Sequence, residues 1–351
     1  MAILGGAQVR TLVHDSHYVP CFSLNSFADA RGQVFTYRLL VSRSGVPEWK
    51  RSFPRAVAKY VHLYTRVAPG GVDSDEVEEW FNREFETPAA EPLAKATSGA
   101  RLTPTDWRRL ARFLAAQHVR TPASLVKHLE RMRANLPSLM EKQLEPTVRD
   151  FEQAWRAGTP IVVPEAVEKE YLPLRVTTMK MDDGTGGVKV DVLVGRSSWL
   201  FSMKTVLNGS ANVLADHRWT ILRPPEDLCW FTSDDPVVCL NYYGDAHYNF
   251  AGGWEKSGSE IFMPLGPKHL LYTKVGHPVL PRGSVLPRVT AETLRRCIAQ
   301  HAYRYIFATS PEPDVPEMRP RRIDADLFRS ENENWRKWHE LQSAAEREFL
   351  D

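Results

Sequence analysis

Cysteine is scarce in this chain. Cys21, Cys229, Cys239 and Cys297 are the four among 351 residues, widely spaced and without a Cys-x-x-Cys pair. Zinc sites need clustered thiolates or imidazoles and disulfide scaffolds need denser cysteines, so four reduced, mostly buried thiols are expected. Long apolar runs are missing too; none approaches the ~18 residues that a membrane helix requires. The opening MAILGGAQVRTLVHDSH lacks a basic start followed by a long apolar core, so no secretory leader is expected. The 20 glycines and 25 prolines are too few and too scattered for collagen or a low-complexity tract. Neither sign of charge dominates: 45 Lys and Arg face 43 Asp and Glu, for a net +2, which excludes a strongly basic nucleic-acid binder and an acidic disordered chain. The sharper catalytic motifs are absent as well: no GxxxxGK[ST], no GxGxxG between strand and helix, no HExxH and no GxSxG. That argues against P-loop enzymes, Rossmann dehydrogenases, zincins and α/β-hydrolases. The expectation is a soluble, cytoplasmic protein with no membrane contact.

Local patterns suggest an α+β chain, with a helix-rich first half packed on a small, mainly antiparallel sheet. Residues His17 to Phe27 read as extended, and Gln33 to Val41 as a strand after a turn at Asp29 to Gly32. The stretch Asp73 to Glu86 reads as a helix that opens with acids, carries Val77, Trp80, Phe81 and Phe85 at helical spacing, and is ended by Pro88 and Pro92. Thr103-Pro104-Thr105-Asp106 is a capping box that opens a second helix, whose stripe is Trp107, Leu110, Leu114 and Gln117, with Pro122 stopping or kinking it. Two helices follow, Ala123 to Asn135 and Ser138 to Trp155, broken near Pro137. Beyond the proline-punctuated Ile161 to Val176, strands are expected at Val188 to Val194, Trp219 to Leu222, Leu228 to Ser233, Glu260 to Leu265, His269 to Val275 and Tyr305 to Ala308. Helices are expected at Ser197 to Ala215, Thr290 to Tyr303 and, as a charged surface helix, Ala325 to Leu350. Little βαβ alternation is visible, which favours α+β over a doubly wound sheet. One domain is expected over residues 1–310, with a helical subregion at about 73–155 and a strand-rich one at about 188–308, then a linker and helix over 311–351.

Some polar residues fall inside apolar stripes. Glu84 lies seven residues after Val77, four after Trp80 and three after Phe81; Gln117 sits in the next helix's stripe and Arg120 is seven after Phe113. A buried carboxylate is costly unless paired, and the guanidinium fork fits a carboxylate, so Glu84, Gln117 and Arg120 are expected to meet in one buried cluster. Such a cluster can fix helix register or build a site; both readings stay open. Residues Asp73 to Glu91 hold eight acids and one base, and Arg101 to Arg133 hold eight bases and two acids, which suits mutual attraction of neighbouring helices, two solvated faces, or phosphate binding by the arginine-rich stretch. His14 and His17 are three apart, but Pro20 argues against a helix that would let them share a metal. His17 alone suits proton transfer near neutrality, and equally suits capping a turn. Asp234 and Asp235 follow an apolar run and precede Pro236; adjacent aspartates on an extended backbone point to opposite faces, or form a local turn.

Several of these segments, in order, resemble those of a widespread microbial family, domain-of-unknown-function family 4238: His17-Tyr18-Val19-Pro20-x-x-x-Leu24-x-x-Phe27, the acidic helix carrying Glu84, Gln117-x-x-Arg120-Thr121-Pro122, Phe231-Thr232-Ser233-Asp234-Asp235-Pro236-Val237, and Pro264-Leu265-x-Pro267-x-x-x-Leu271. Cys21 departs from the pattern, where a polar residue, often Gln, is expected. The resemblance implies one family domain and no particular reaction, and it nominates His17, Glu84, Gln117, Arg120 and Asp234. The leading expectation is a hydrolase for a phosphorylated or nucleotide-like substrate, nucleic acid included. His17 would act as general base or acid. Glu84 and Asp234 would position water or hold a divalent cation through oxygen ligands. Arg120 would neutralise developing charge, Gln117 would orient Glu84 or the substrate, and Trp80, Trp107 and Tyr18 would line the substrate pocket. The alternatives are a non-catalytic module that binds a small anionic ligand or a partner protein, and an oligomeric scaffold assembled through the helices after Pro122 and the terminal helix.

Overall fold

The computed structural model describes residues 15–68, 71–157, 174–180, 186–244 and 247–350. Strand β1 (Asp15–His17) leads into Pro20, whose extended backbone caps a short helix α1 (Cys21–Asn25) inside the segment expected to be extended throughout. The Asp29 carboxylate then accepts the amides of Arg31 (2.9 Å) and Gln33 (3.1 Å), and Gly32 takes φ 71°, which closes the expected turn into β2 (Val34–Arg38). Short strands follow: β3 (Leu40–Val41), β4 (Trp49–Ser52), β5 (Lys59–Val61), β6 (Arg66–Val67) and β7 (Asp73–Ser74).

The helical layer comes next. Helix α2 (Glu76–Phe81) runs through a π-helical turn at Asn82–Glu86 into α3 (Thr87–Ser98). Prolines 88 and 92 therefore do not end this helix. Pro88 sits in the first turn of α3, just behind the π turn, where a missing amide costs little, and Pro92 forfeits one ladder bond; the chain stops instead at Gly99, with φ 78°. Thr103 caps α4 (Pro104–Val119) with the reciprocal Asp106 bonds that the sequence calls for. Pro122 then starts α5 (Pro122–Arg156), one helix where two were expected: the interior proline at 137 removes a single bond and does not break the run. A hairpin of β8 (Leu174–Lys180) and β9 (Gly186–Val192) follows. Most of the Ile161 to Val176 stretch lies outside the described residues, as does His14.

Helices α6 (Arg196–Asn208) and α7 (Ala211–Ala215) divide at Gly209 what the pattern suggested as one helix. Then come β10 (Thr220–Leu222), β11 (Thr232–Ser233), β12 (Val238–Gly244), β13 (His247–Asn249), β14 (Ser259–Gly266), β15 (His269–Lys274), helix α8 (Arg288–His301), β16 (Tyr305–Ala308), α9 (Val315–Met318), β17 (Arg322–Ile323) and α10 (Ala325–Leu350). Five strands form an antiparallel sheet in the order β10-β15-β14-β12-β13, and four form another in the order β11-β16-β2-β4. The fold is α+β.

Period-two alternation explains how the larger sheet joins two cores. From β14 and β12, Ile261, Met263, Leu265 and Cys239 pack with the α2–α4 and α6–α7 side chains, whereas Phe262, Val238 and Leu240 pack with α8 and β16. Gly252 lets its loop lie against β12: a Cβ there would stand 2.7 Å from the Leu240 nitrogen. The C-terminal helix is held along one buried seam. Arg196 donates to Glu346 through Nε (3.1 Å) and Nη2 (2.6 Å), and Glu346 also accepts the Val67 amide at 2.9 Å. No described helix is long and apolar enough to cross a membrane.

Candidate functional site

Arg120 is the centre of the polar interior. It follows the last residue of α4, and Pro122 turns the chain away, so its side chain runs back into the core with no exposure. Nη1 donates to Glu86 Oε1 (2.5 Å), Nη2 to the His17 carbonyl (2.6 Å) and Nε to Tyr64 Oη (3.1 Å); the Tyr64 hydroxyl in turn donates to the Arg120 carbonyl at 2.7 Å. The guanidinium lies 4.3 Å from the Phe81 ring centre, a cation–π contact in a dry setting. Beside it, burial pushes the Glu78 carboxyl up to about 7, with Arg120 opposing and Glu86 adding to the shift, and Ser16 hydrogen-bonds to the carboxylate. Glu78 Oε2 has no hydrogen-bond partner among the described residues. The His17 ring faces elsewhere: Nε2–H donates to the Arg55 carbonyl (3.2 Å), which leaves the lone pair on Nδ1, and burial lowers its pKa.

The two aspartates diverge. After α8 ends, the amides of Tyr303 and Arg304 lack helical partners, and the Asp234 carboxylate accepts both, at 2.8 and 2.7 Å. Burial pushes Asp234 up to about 7; these amides oppose the shift and Asp235 adds to it. Asp235 turns the other way. Its Oδ1 accepts from Thr121 Oγ1 (3.0 Å), and its Oδ2 lies 3.4 Å from Lys127 Nζ and 3.5 Å from His301 Nε2. The Ser233 hydroxyl also donates to the Asp235 carbonyl (2.9 Å), so the local turn and the divergence of faces coexist. His301 Nδ1–H donates to that same carbonyl (3.1 Å), which leaves Nε2 to accept from Lys127 at 3.4 Å.

Lys127 opens onto a cavity of about 310 Å³ between α4, α5, α6 and the Trp254 loop. Its polar lining is His118, Ser124, Lys127, His128, Arg131 and Ser202, with no carboxylate. Trp254 Nε1–H donates to His118 Nδ1 (2.9 Å), so the neutral ring carries its proton on Nε2. The single Ser198 hydroxyl proton is committed to the Gly195 carbonyl (2.9 Å), so His128 Nε2–H donates to Ser198 Oγ (3.1 Å) and Nδ1 keeps the lone pair. Burial lowers both imidazoles to about 4. Trp199 lines the cavity, and its indole N–H has no partner among the described residues.

A family model described as a protein of unknown function (DUF4238) matches residues 16–312. The chain belongs to that family. No curated protein and no solved structure matches it.

The DUF4238 motif segments of His17, the acidic helix, Arg120 and Asp234 thus meet in one polar layer, but not as side chains round one cavity, and the segment 264–271 packs in the apolar cores. Arg120 reaches the backbone of His17 rather than its ring. Glu84 is half-exposed and pairs with Arg83 at 2.9 Å; Glu86 takes the place expected for it. The reason is the π turn. Buried Val77, Phe81, Phe85, Ala89 and Leu93 recur every fourth residue, so the wider turn swings Glu84 off the stripe and brings Glu86 in. Gln117 is buried, as its place in the stripe suggests, yet neither amide atom finds a partner among the described residues. Trp80 packs edge-on against Phe85 at 5.0 Å, and it and Trp107 both lie against the helical core. Tyr18 is buried beside Tyr60 at 5.7 Å and borders a groove of about 1040 Å³ under α10. Among the described residues no three His, Cys, Asp or Glu side chains are arranged to hold a metal ion, and Glu84 and Asp234 stand in unlike settings, one paired at the surface and one capping backbone. Sequence reasoning missed Glu78, Glu86, Tyr64, Lys127 and His301. Lys127 carried a signal in the basic stretch beginning at Arg101, and Glu78 and Glu86 in the acidic stretch from Asp73 to Glu91.

Proposed function

We propose that this DUF4238 protein is a hydrolase for phosphorylated, nucleotide-like substrates, and that the substrate's oxyanion sits in the cavity of Lys127 and Arg131. The observation that carries the reading is the single-signed lining: two cations, two imidazoles and two serine hydroxyls, with no acid, against the Asp235 of the family motif. Phosphoryl transfer asks a protein chiefly for positioning and charge stabilisation. Lys127 and Arg131 supply the charge, and Ser124, in the first turn of α5, lies at the positive end of that helix. His118 Nε2–H is a donor for a non-bridging or leaving oxygen. His128 Nδ1 is an acceptor for the attacking water's proton. Asp235 and His301 hold Lys127 in place. Arg120 keeps a structural part, because each of its three nitrogens already donates inside the protein. Four cysteines without disulfide bonds fit a reducing cytoplasm.

One observation favours a second reading, binding without turnover. Both cavity imidazoles are lowered to about 4, so neither is poised for proton transfer near neutrality until an anion arrives. One experiment separates the two: purified chain with para-nitrophenyl phosphate and a panel of nucleotides, beside Lys127→Gln, Arg131→Gln and His128→Gln. Turnover that falls at least a hundredfold in the folded variants supports hydrolysis. Saturable binding without turnover supports the second reading, and neither binding nor turnover removes both.

A further inference from the structure

Helix α6 has two working faces. Trp199, Ser202, Met203 and Val206 line the cavity already described, while Ser197, Leu200, Phe201, Lys204 and Asn208, also at helical spacing, line a second cavity of about 440 Å³. The two share no lining residue. Walls of the second come from four elements: Val67 of β6, Val77 of α2, Leu200 and Phe201 of α6, and Phe349 and Leu350 of α10. Its volume lies in the range of small-molecule sites, about 300–1,000 Å³, which are mostly apolar with a few placed polar groups.

Arg66 and Lys204 are the cations of the lining. Its one carboxylate, Glu346, is turned inward onto Arg196 and the Val67 amide. Lys204 is only partly exposed and rests 3.2 Å from Glu76, a carboxylate 45% exposed to solvent. That exposed partner can be exchanged for a ligand's carboxylate at small cost, since such pairs contribute little. Arg66 also donates to Glu76 and holds the rim in shape. Asn208 is a further hydrogen-bond donor of the lining, whereas the Thr205 hydroxyl already donates to the Phe201 carbonyl at 3.0 Å. An apolar chamber with a partly exposed ammonium in its lining suits an amphipathic anion.

We propose that this cavity binds a medium-chain carboxylate, with its chain among Leu200, Phe201, Val77 and Phe349 and its head group on Lys204. The site is independent of the proposed hydrolysis and stands or falls separately from it. Isothermal titration of the full chain with octanoate, decanoate, decanol and decylammonium tests it. Decanoate should bind one to one, about fifteenfold more tightly than octanoate, because each buried methylene is worth about fourfold. It should bind at least tenfold more tightly than decanol, and decylammonium should not bind. Lys204→Gln should bring decanoate down to the decanol level, and Thr205→Trp, which fills the cavity from an exposed position, should abolish both. Decanoate that fails to saturate, decanol that binds as tightly, or an unchanged affinity in Thr205→Trp would each overturn the proposal.

Discussion

The Glu78 carboxyl makes a pH-dependent prediction with a definite sign. On α2, burial raises its ordinary value of 4.5 to about 7, and Glu86 adds to the shift while Arg120 opposes it. The folded chain therefore keeps this proton up to about pH 7, whereas the unfolded chain releases it near 4.5. Between those values the folded state binds more protons, so stability falls as pH rises; the contribution is complete below about 4.5 and lost above about 7. A shift of this size corresponds to about 3 kcal/mol. Glu78→Gln has the shape of the protonated acid and cannot ionise. Urea unfolding should find the variant and the parent equally stable at pH 4.5, with the variant more stable at pH 8 by up to about 3 kcal/mol. Asp234 titrates in the same window in both chains, so its effect cancels in the difference. A difference between variant and parent that stays flat from pH 4.5 to 8 would refute the reasoning, because Glu78 would then ionise alike in both states.

Two further outcomes concern buried ion pairs. Arg120→Met strands the Glu86 carboxylate and the His17 carbonyl, and should cost about 3–5 kcal/mol in urea unfolding, with a further penalty at high pH where Glu78 is also ionised. Glu346→Ala leaves Arg196 charged and unpaired in the seam under α10, and should cost a similar amount while opening that helix to proteolysis; protection of α10 unchanged in the variant would contradict the seam.

Local rules were enough where one turn decides the outcome. The Thr103-Asp106 box and Pro104 set the start of α4 within the sequence itself. The burial of Arg120 followed from its spacing to Phe113, because an α-helix from 104 to 119 carries that phase without interruption. Glu84 failed for the converse reason. Nothing in Asn82-Arg83-Glu84-Phe85-Glu86 announces a π turn, and that turn moves the stripe onto every fourth residue. Which carboxylate meets Arg120 is then settled by the packing of Phe81 and Phe85, a tertiary matter. The lone helix spanning Pro137 is another case, since flanking turns on both sides outweigh one missing amide.

Three of the motif residues, Arg120, Thr121 and Asp234, share a habit that bears on how the protein can work. Arg120 bonds a carbonyl of β1, Asp234 bonds the first two amides after Ala302, and Thr121 bonds Asp235 across 114 residues of chain. Each fastens backbone or side chain of one segment to another, and each is buried. Groups spent in this way position their neighbours and have little left to offer a ligand. The groups that do face open space stand one step away from them: His118 beside Gln117, Lys127 against Asp235, Arg131 one turn further along α5. A change at Arg120 should therefore lower activity only as far as it lowers the folded fraction. A change at Lys127, whose side chain is 61% exposed and whose partner Asp235 keeps the Thr121 hydroxyl, should lower activity far more than it lowers the melting point. Parallel melting and activity curves for the two variants distinguish a fastening residue from a working one, and the reverse pattern would return the working role to Arg120.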